Sequence, residues 1–370
     1  MKVKNKFDLM NLMNYFSAFR IMIAISISLI IMFAIIFFIH DEPMFAISKL
    51  MLGPLQTKRS FFNVLERATP LIFTGLALNV SLRSGVFNIG IDGSFYMGAV
   101  IGAFIAIKLP MPSGIHQFVI MAIAGIVGGI INMLPVLIGR YTKINPTVLA
   151  IMSNSIFYYV GLSIVSTFLL EKSGTWGSFY FEENAKLGNL IKGTSMHYGF
   201  IIMLAVFVFV VILMQKSSFG YKVRLIGQNP NFGKYIGFKT ILIIMGAQFV
   251  GGFIGGMGGA IEMVGMYKRF QWQTQVSYVW DGLLVHMLAD QKPTFIPLTA
   301  IFIAYLRIGA EIMSRAAGID PEVVAFLQGI VILLVASERF LYFIKKKHEH
   351  KLSLQQAEQA TGKAALEGGK

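Results

Sequence analysis

The chain has 370 residues, 55% of them hydrophobic and 14% charged, against about 25% charged in soluble domains. No single aqueous core can bury that much apolar surface, so the composition predicts an all-α, polytopic membrane protein. The formal net charge of +14 is spread thinly between apolar runs, which argues against nucleic acid as a partner, and the lack of cysteine excludes disulfides, thiolate metal sites and cysteine nucleophiles.

Ten candidate spans lie near 21–39, 68–82, 92–109, 117–138, 147–170, 198–214, 241–265, 276–289, 294–306 and 323–343. The run Ile21 to Ile39 is followed by "HDEP" and not by a small-residue cleavage site, so it reads as a retained first helix. Within "ERATPLIFTGLALNVSLR", residues 66–83, Pro70, Gly75 and Asn79 predict a poor continuous helix. "SGVFNIGIDGSFYMG", residues 84–98, then sets an amide, a carboxylate and four glycines among apolar flanks. Asn88 is placed to cap the next helix, with Asp92 in its first turn, where the helix dipole lowers the cost of a carboxylate. Two readings stay open: a tightly packed corner, or irregular backbone beside a translocation pathway. On the second reading the pathway candidates are Asn79, Asn88, Asp92 and Ser94.

Segment 171–197 carries three basic and three acidic residues, whereas 215–240 carries five basic residues and no acid. That contrast puts 215–240 inside and both termini in the cytoplasm, as in a bacterial plasma-membrane protein; Lys58, Arg59, Lys268 and Arg269 count against it. Within 215–240, Asn229 is a helix cap, Pro230 takes the first helical position and Gly237 stops the chain. The result is a short surface helix: an ordinary loop helix, or a docking surface presenting Phe232, Lys234 and Tyr235. "GQNPNFGKY", residues 227–235, has five residues between its glycines where a phosphate loop needs four, and it lacks the Ser or Thr for magnesium.

In "GAQFVGGFIGGMGGAIEMVG", residues 246–265, Gly251, Gly255 and Gly259 form one ridge beside Gly252, Gly256 and Ala260. The spacing predicts close helix packing. Glu262, at the far end, should face protein, water or the interface. None of the histidines forms a metal motif; His40, His116, His197, His348 and His350 read as loop or solvated residues, and His286 falls within a span where it can face a polar cavity. No catalytic cluster is apparent. Residues 1–343 read as the membrane domain and 344–370 as a basic, polar cytoplasmic tail suited to anionic lipid.

These motifs together resemble the permease subunits of bacterial ABC importers, in the branch for nucleosides and simple sugars related to the ribose and branched-chain amino acid permeases. That branch reads Phe-Asn-Ile-Gly-x-Glu-Gly-Gln and then Gly-Ala; here it is Phe87, Asn88, Ile89, Gly90, Ile91, Asp92, Gly93 and Ser94, then Gly98 and Ala99. Phe219, Gly220, Arg224, Gly227, Asn229, Pro230, Lys234, Tyr235 and Gly237 match a second pattern, and the glycine-rich helix a third. Asp92 and Ser94 replace the usual Glu and Gln, Pro146 stands where the nucleoside branch has Glu, and Phe232 and Gly233 replace two alanines. The resemblance implies a ten-helix permease with no cofactor of its own. ATP would be bound by a cytoplasmic ABC ATPase docked on the short helix. A homologous permease subunit would complete the path, and an extracellular substrate-binding lipoprotein would deliver solute. The competing reading is an ion-coupled secondary transporter of a small polar solute, for which only Asp92, Glu262 and Asp281 offer intramembrane charge.

Overall fold

A computed structural model describes residues 42–172 and 175–320, with a few isolated positions on either side. The predicted spans at 21–39 and 323–343 and the tail 344–370 lie outside the described residues. The chain divides into two compact units, Met1–Ile47 with Ser314–Lys370, and Ser48–Met313.

Among the described residues the protein is helical and contains no strand, only two isolated antiparallel bridges, Leu170 with Ser178 and Asn189 with His197. The helices are α1 (Pro43–Gln56), α2 (Lys58–Leu82), α3 (Ile91–Lys108), α4 (Ile115–Thr142), α5 (Pro146–Ile164), α6 (Gly199–Lys216), α7 (Ser218–Gln228), α8 (Pro230–Tyr235), α9 (Thr240–Met266), α10 (Tyr278–Leu288) and α11 (Ile296–Ala317). Six helical stretches are long and apolar enough to cross a membrane: α3, α4, α5 with its π-helical extension to Leu169, α6, α9, and Pro293–Ala317.

Local chemistry sets many boundaries. Asn145 Oδ1 accepts from Thr147 N–H at 2.9 Å and Pro146 opens α5. Ser217 Oγ accepts from Gly220 N–H at 3.0 Å and caps α7. These caps satisfy donors that a helix start leaves free. Gly318, at φ +68°, follows the last turn of α11, and Ser314 Oγ donates to Ile319 O at 2.7 Å.

Two expectations need correction. The first is the poor helix expected at 66–83: α2 instead runs unbroken through Pro70 and Gly75, and every residue from Ala68 to Ser81 is buried. Packing on all sides outweighs the local cost of proline and glycine, as membrane helices tolerate when neighbours cover the backbone. The second is the eighth span expected at 276–289: its helix, α10, has only 11 residues. At ~1.5 Å per residue it reaches about half of the ~30 Å hydrocarbon core. It packs on α2 instead, with Thr74 Oγ1 donating to Tyr278 O at 3.0 Å.

The centre is α9. A Cβ on Gly251 would lie 2.8 Å from the Ala77 carbonyl oxygen, and one on Gly255 would lie 2.9 Å from Ile91 Cγ2. On Gly259 it would enter the Phe95 carbonyl oxygen. The neighbouring ridge meets α4: a Cβ on Gly256 would lie 3.0 Å from Gly128 Cα. Backbones therefore touch on two sides of α9, which brings α2, α3 and α4 around one axis. Of its span α3 is 78% buried, whereas α5 and α6 are each 22% buried, so those two turn most of their apolar surface outward.

Candidate functional site

Residues 83–90 form the link between α2 and α3. Gly85 adopts φ +81°, and Ser84 and Asn88 are buried. The sequence predicts that Asn88 caps α3, but Gly90 holds that position with no side-chain bond. Asn88 Oδ1 accepts from Gly90 N–H at 2.9 Å, a local turn two residues before the helix. Its Nδ2 donates to Asn132 O at 2.7 Å and to Gln248 Oε1 at 2.9 Å. Gln248 Nε2 donates in turn to Ser84 Oγ at 3.0 Å and Ser81 O at 3.2 Å, and Ser81 Oγ donates to Gln248 Oε1. Asn132 Nδ2 donates to Gln248 O at 2.7 Å. One buried polar knot therefore ties α2, the 83–90 link, α4 and α9 together.

Ser94 Oγ donates to Gly90 O at 3.1 Å and to Gly128 O at 2.8 Å. Asn154 receives the Gly93 N–H at 3.0 Å and donates to Ile89 O at 3.0 Å, which fastens α5 to the start of α3. Asp92 does fall in the first turn of α3; it is buried and has no side-chain hydrogen bond among the described residues. Asn132, Asn154 and Gln248 were missed by the sequence reading. Their signal was present: a lone amide inside an apolar span is costly and calls for a partner.

Asn79 lies elsewhere. Its Nδ2 donates to Gln291 O at 2.7 Å and lies 3.3 Å from His286 Nδ1. It lines a cavity of ≈ 180 Å³ with Arg83, Arg224 and Lys292, among others. Asn88, Asp92 and Ser94 do not line that cavity.

The surface segment consists of α7 and α8. Val223 and Ile226 bury one face of α7, a spacing that the sequence reading passed over. Asn229 Oδ1 accepts from Phe232 N–H at 3.0 Å, Pro230 opens α8, and Gly237, at φ +83°, ends the turn behind it. Tyr235 is 92% exposed, Phe232 is 49% exposed and Lys234 is exposed. The segment touches the 83–90 link backbone to backbone: a Cβ on Gly85 would lie 2.9 Å from both Cα and O of Gly227.

The family described as "Branched-chain amino acid transport system / permease component" matches residues 60–336. The chain belongs to that family. The permease is 26% identical over 291 residues to a guanosine ABC transporter permease protein of Bacillus subtilis, covering 78% of this chain and 84% of that one. It is 24% identical to a nucleoside ABC transporter permease protein of Lactococcus lactis, covering 80% and 84%, and 23% identical to a glucose ABC transporter permease protein of Haloferax volcanii, covering 82% of each. Membership of this family sets aside the ion-coupled reading. The chain is a multi-pass membrane permease subunit of an ABC importer and not an enzyme.

At the other end of the permease's α9, Glu66, His197 and Glu262 bring ligand atoms within 4.8 Å of one another. All three are buried, so His197 is not the solvated loop residue predicted, and His116 and His286 are buried too. Tyr278 Oη donates to Glu262 Oε1 at 3.0 Å. His197 Nδ1 accepts from Gly199 N–H at 3.1 Å. The neutral ring then carries its proton on Nε2, the reverse of the usual metal-bound histidine, whose second nitrogen donates. Arg67 lies over the Tyr278 ring at 6.0 Å and adds positive charge beside the carboxylates. With its proton on Nε2 the ring offers no lone pair to a cation, and His197 Nε2 and Glu262 Oε2 have no hydrogen-bond partner among the described residues.

Proposed function

We propose that this permease imports nucleosides, with a simple sugar as the second reading. The observation that carries the proposal is the "FNIGIDGS" link, which follows the pattern of the nucleoside and simple-sugar branch except at Asp92 and Ser94, and whose Asn88 anchors the buried knot. The guanosine and nucleoside permeases among its relatives, each aligned over more than three quarters of this chain, support it. The glucose permease supports the sugar reading.

In this reading the chain crosses the membrane ten times, the eighth crossing combining α10 with the non-helical stretch before it, with both termini in the cytoplasm and residues 1–343 forming the membrane domain. A homologous permease subunit encloses the path with Asn79, Asn88, Asp92 and Ser94 near it. An extracellular lipoprotein delivers solute. A cytoplasmic ABC ATPase binds ATP and docks on α8, with Tyr235 and Phe232 filling a groove and Lys234 at the rim. Movement of α8 passes through α7 to Gly227, and from there to Gly85 and the polar knot. α2, α3, α4 and α9 then re-pack between inward-open and outward-open arrangements.

The test is uptake of radiolabelled guanosine by cells lacking this gene and by the same cells restored with it. Restored uptake that unlabelled nucleosides suppress and glucose does not is the expected result. Unchanged guanosine uptake in the deletion strain, with lost sugar uptake, selects the second reading; loss of neither overturns both.

A further inference from the structure

Counted from a cytoplasmic N-terminus, the candidate spans put the turn after α2, the turn at 139–146, the 215–240 segment and the 289–293 turn on the cytoplasmic face, and the first, third and fourth of these meet at the cavity beside Asn79. Its polar lining is Asn79, Arg83, Gln215, Arg224 and Lys292, three of them cations and none an acid. Arg83 Nη2 donates to the Gln291 carbonyl oxygen at 2.6 Å. Arg224 Nη1 is buried with no hydrogen-bond partner among the described residues. Burial and the charge of Arg224 together lower the Arg83 pKa from its ordinary value, and Asp290 offsets this only in part. Asp290 itself pairs with Lys292 at 3.6 Å, half-exposed and screened by water. Two guanidinium groups are therefore held near one another in a pocket with no carboxylate between them.

Such an arrangement calls for an anion. The guanidinium fork fits phosphoryl oxygens in two-point contact. Asn79 Oδ1 is also buried with no donor among the described residues, an acceptor that a hydroxyl next to the anionic oxygens would fill. Gln215 belongs to the last turn of α6, and α6 exposes Ile201, Leu204, Val208, Phe209 and Ile212. A helix clothed in exposed apolar side chains ends where hydrocarbon gives way to headgroups, which places the cavity at headgroup depth.

We propose that this cavity binds an anionic phosphoryl group, with Arg224 and Arg83 as its main ligands and Lys292 and Gln215 beside them. The inference does not depend on which solute the permease carries. The depth of the site favours a lipid headgroup over free phosphate as the source, and the experiment separates the two.

The purified full-length chain in detergent is titrated with phosphatidylglycerol or with a phosphate-free diacylglycerol glycolipid, and bound lipid is counted by native mass spectrometry. Thermal melts in inorganic phosphate and in chloride at equal ionic strength form the second arm. Wild type should retain phosphatidylglycerol about tenfold more tightly than glycolipid, and Arg224→Gln should remove that preference. Lys143→Gln, in a separate turn assigned to the same face, should leave it intact. Phosphate stabilisation of wild type without lipid preference, lost in Arg224→Gln, upholds the phosphoryl site and makes free phosphate the source. If Arg224→Gln does not give a monodisperse protein, Arg224→Lys decides: it keeps the charge, loses the fork and should bind several-fold more weakly. Equal binding of both lipids by wild type with no phosphate effect overturns the proposal, as does unchanged binding in the Arg224 variants. Crosslinking that places a carboxylate of a cytoplasmic ATPase in the cavity overturns it too.

Discussion

Gly85, Gly193 and Gly237 share one backbone conformation, with φ of +81°, +81° and +83°, so alanine meets the same left-handed strain at each. That strain is about 1–2 kcal/mol, partly offset by ~0.4–1 kcal/mol because alanine restricts the unfolded chain. The net cost of strain is therefore about 1 kcal/mol at all three sites. Space around the new methyl group separates them. At Gly193 and Gly237 nothing lies within 4 Å, whereas at Gly85 the methyl group would lie 2.9 Å from Gly227 Cα and O. Ordinary carbon contacts begin near ~3.5 Å, and both neighbours are backbone that cannot rotate away. Overpacking of that kind costs a further ~1–3 kcal/mol, so Gly85→Ala should lose about 2–4 kcal/mol in total. Unfolding midpoints in mixed detergent measure this for the three variants. If the 83–90 link and α7 move as one, Gly85→Ala should also lower uptake per ATP hydrolysed, and Gly193→Ala should not. Equal destabilisation of all three proteins, with coupling preserved in Gly85→Ala, would refute the idea that this contact constrains anything.

Three other outcomes are expected. Gly255→Leu, where even a Cβ lies 2.9 Å from Ile91 Cγ2, should prevent folding or assembly, and normal expression and uptake would contradict the packing assigned to α9. Asn88→Leu and Gln248→Leu should each cost ~1–3 kcal/mol by stranding buried partners, and the double variant should cost clearly less than the sum; strict additivity in the thermodynamic cycle would dissolve the knot. Tyr235→Ala and Phe232→Ala should uncouple ATP hydrolysis from uptake, whereas Lys234→Ala, a rim charge, should do less; a larger effect at Lys234 would reverse the assignment of shape over charge.

Much of the helical framework was legible because apolar runs bounded by caps leave a local trace. Asn229, Pro230 and Gly237 mark the surface helix in sequence, and they bracket α8 in the structure. The glycine ridges of α9 were legible for the same reason: spacing along one helix is a local property. The failures are tertiary. Pro70 marks a breaker locally, yet α2 continues because α9 and α10 cover it. Asn88 looks like a cap, but its amide reaches Asn132 and Gln248, 44 and 160 residues away. No single-chain pattern reveals that meeting, although each lone amide in an apolar span announces that it needs a partner. The cationic cavity was invisible for a related reason, since Arg83, Arg224 and Lys292 converge only after the helices pack.

In the proposed mechanism the permease receives its driving motion through α8, from a cytoplasmic ATPase docked there. The chain has no native cysteine, so Tyr235→Cys supplies a unique and exposed attachment point. A short crosslinker applied to membranes expressing that variant should capture a cytoplasmic ATPase, and membrane-impermeant thiol reagents should fail to label it from outside intact cells. Labelling from outside, or no ATPase captured in membranes that still drive uptake, would contradict both the docking role and the orientation.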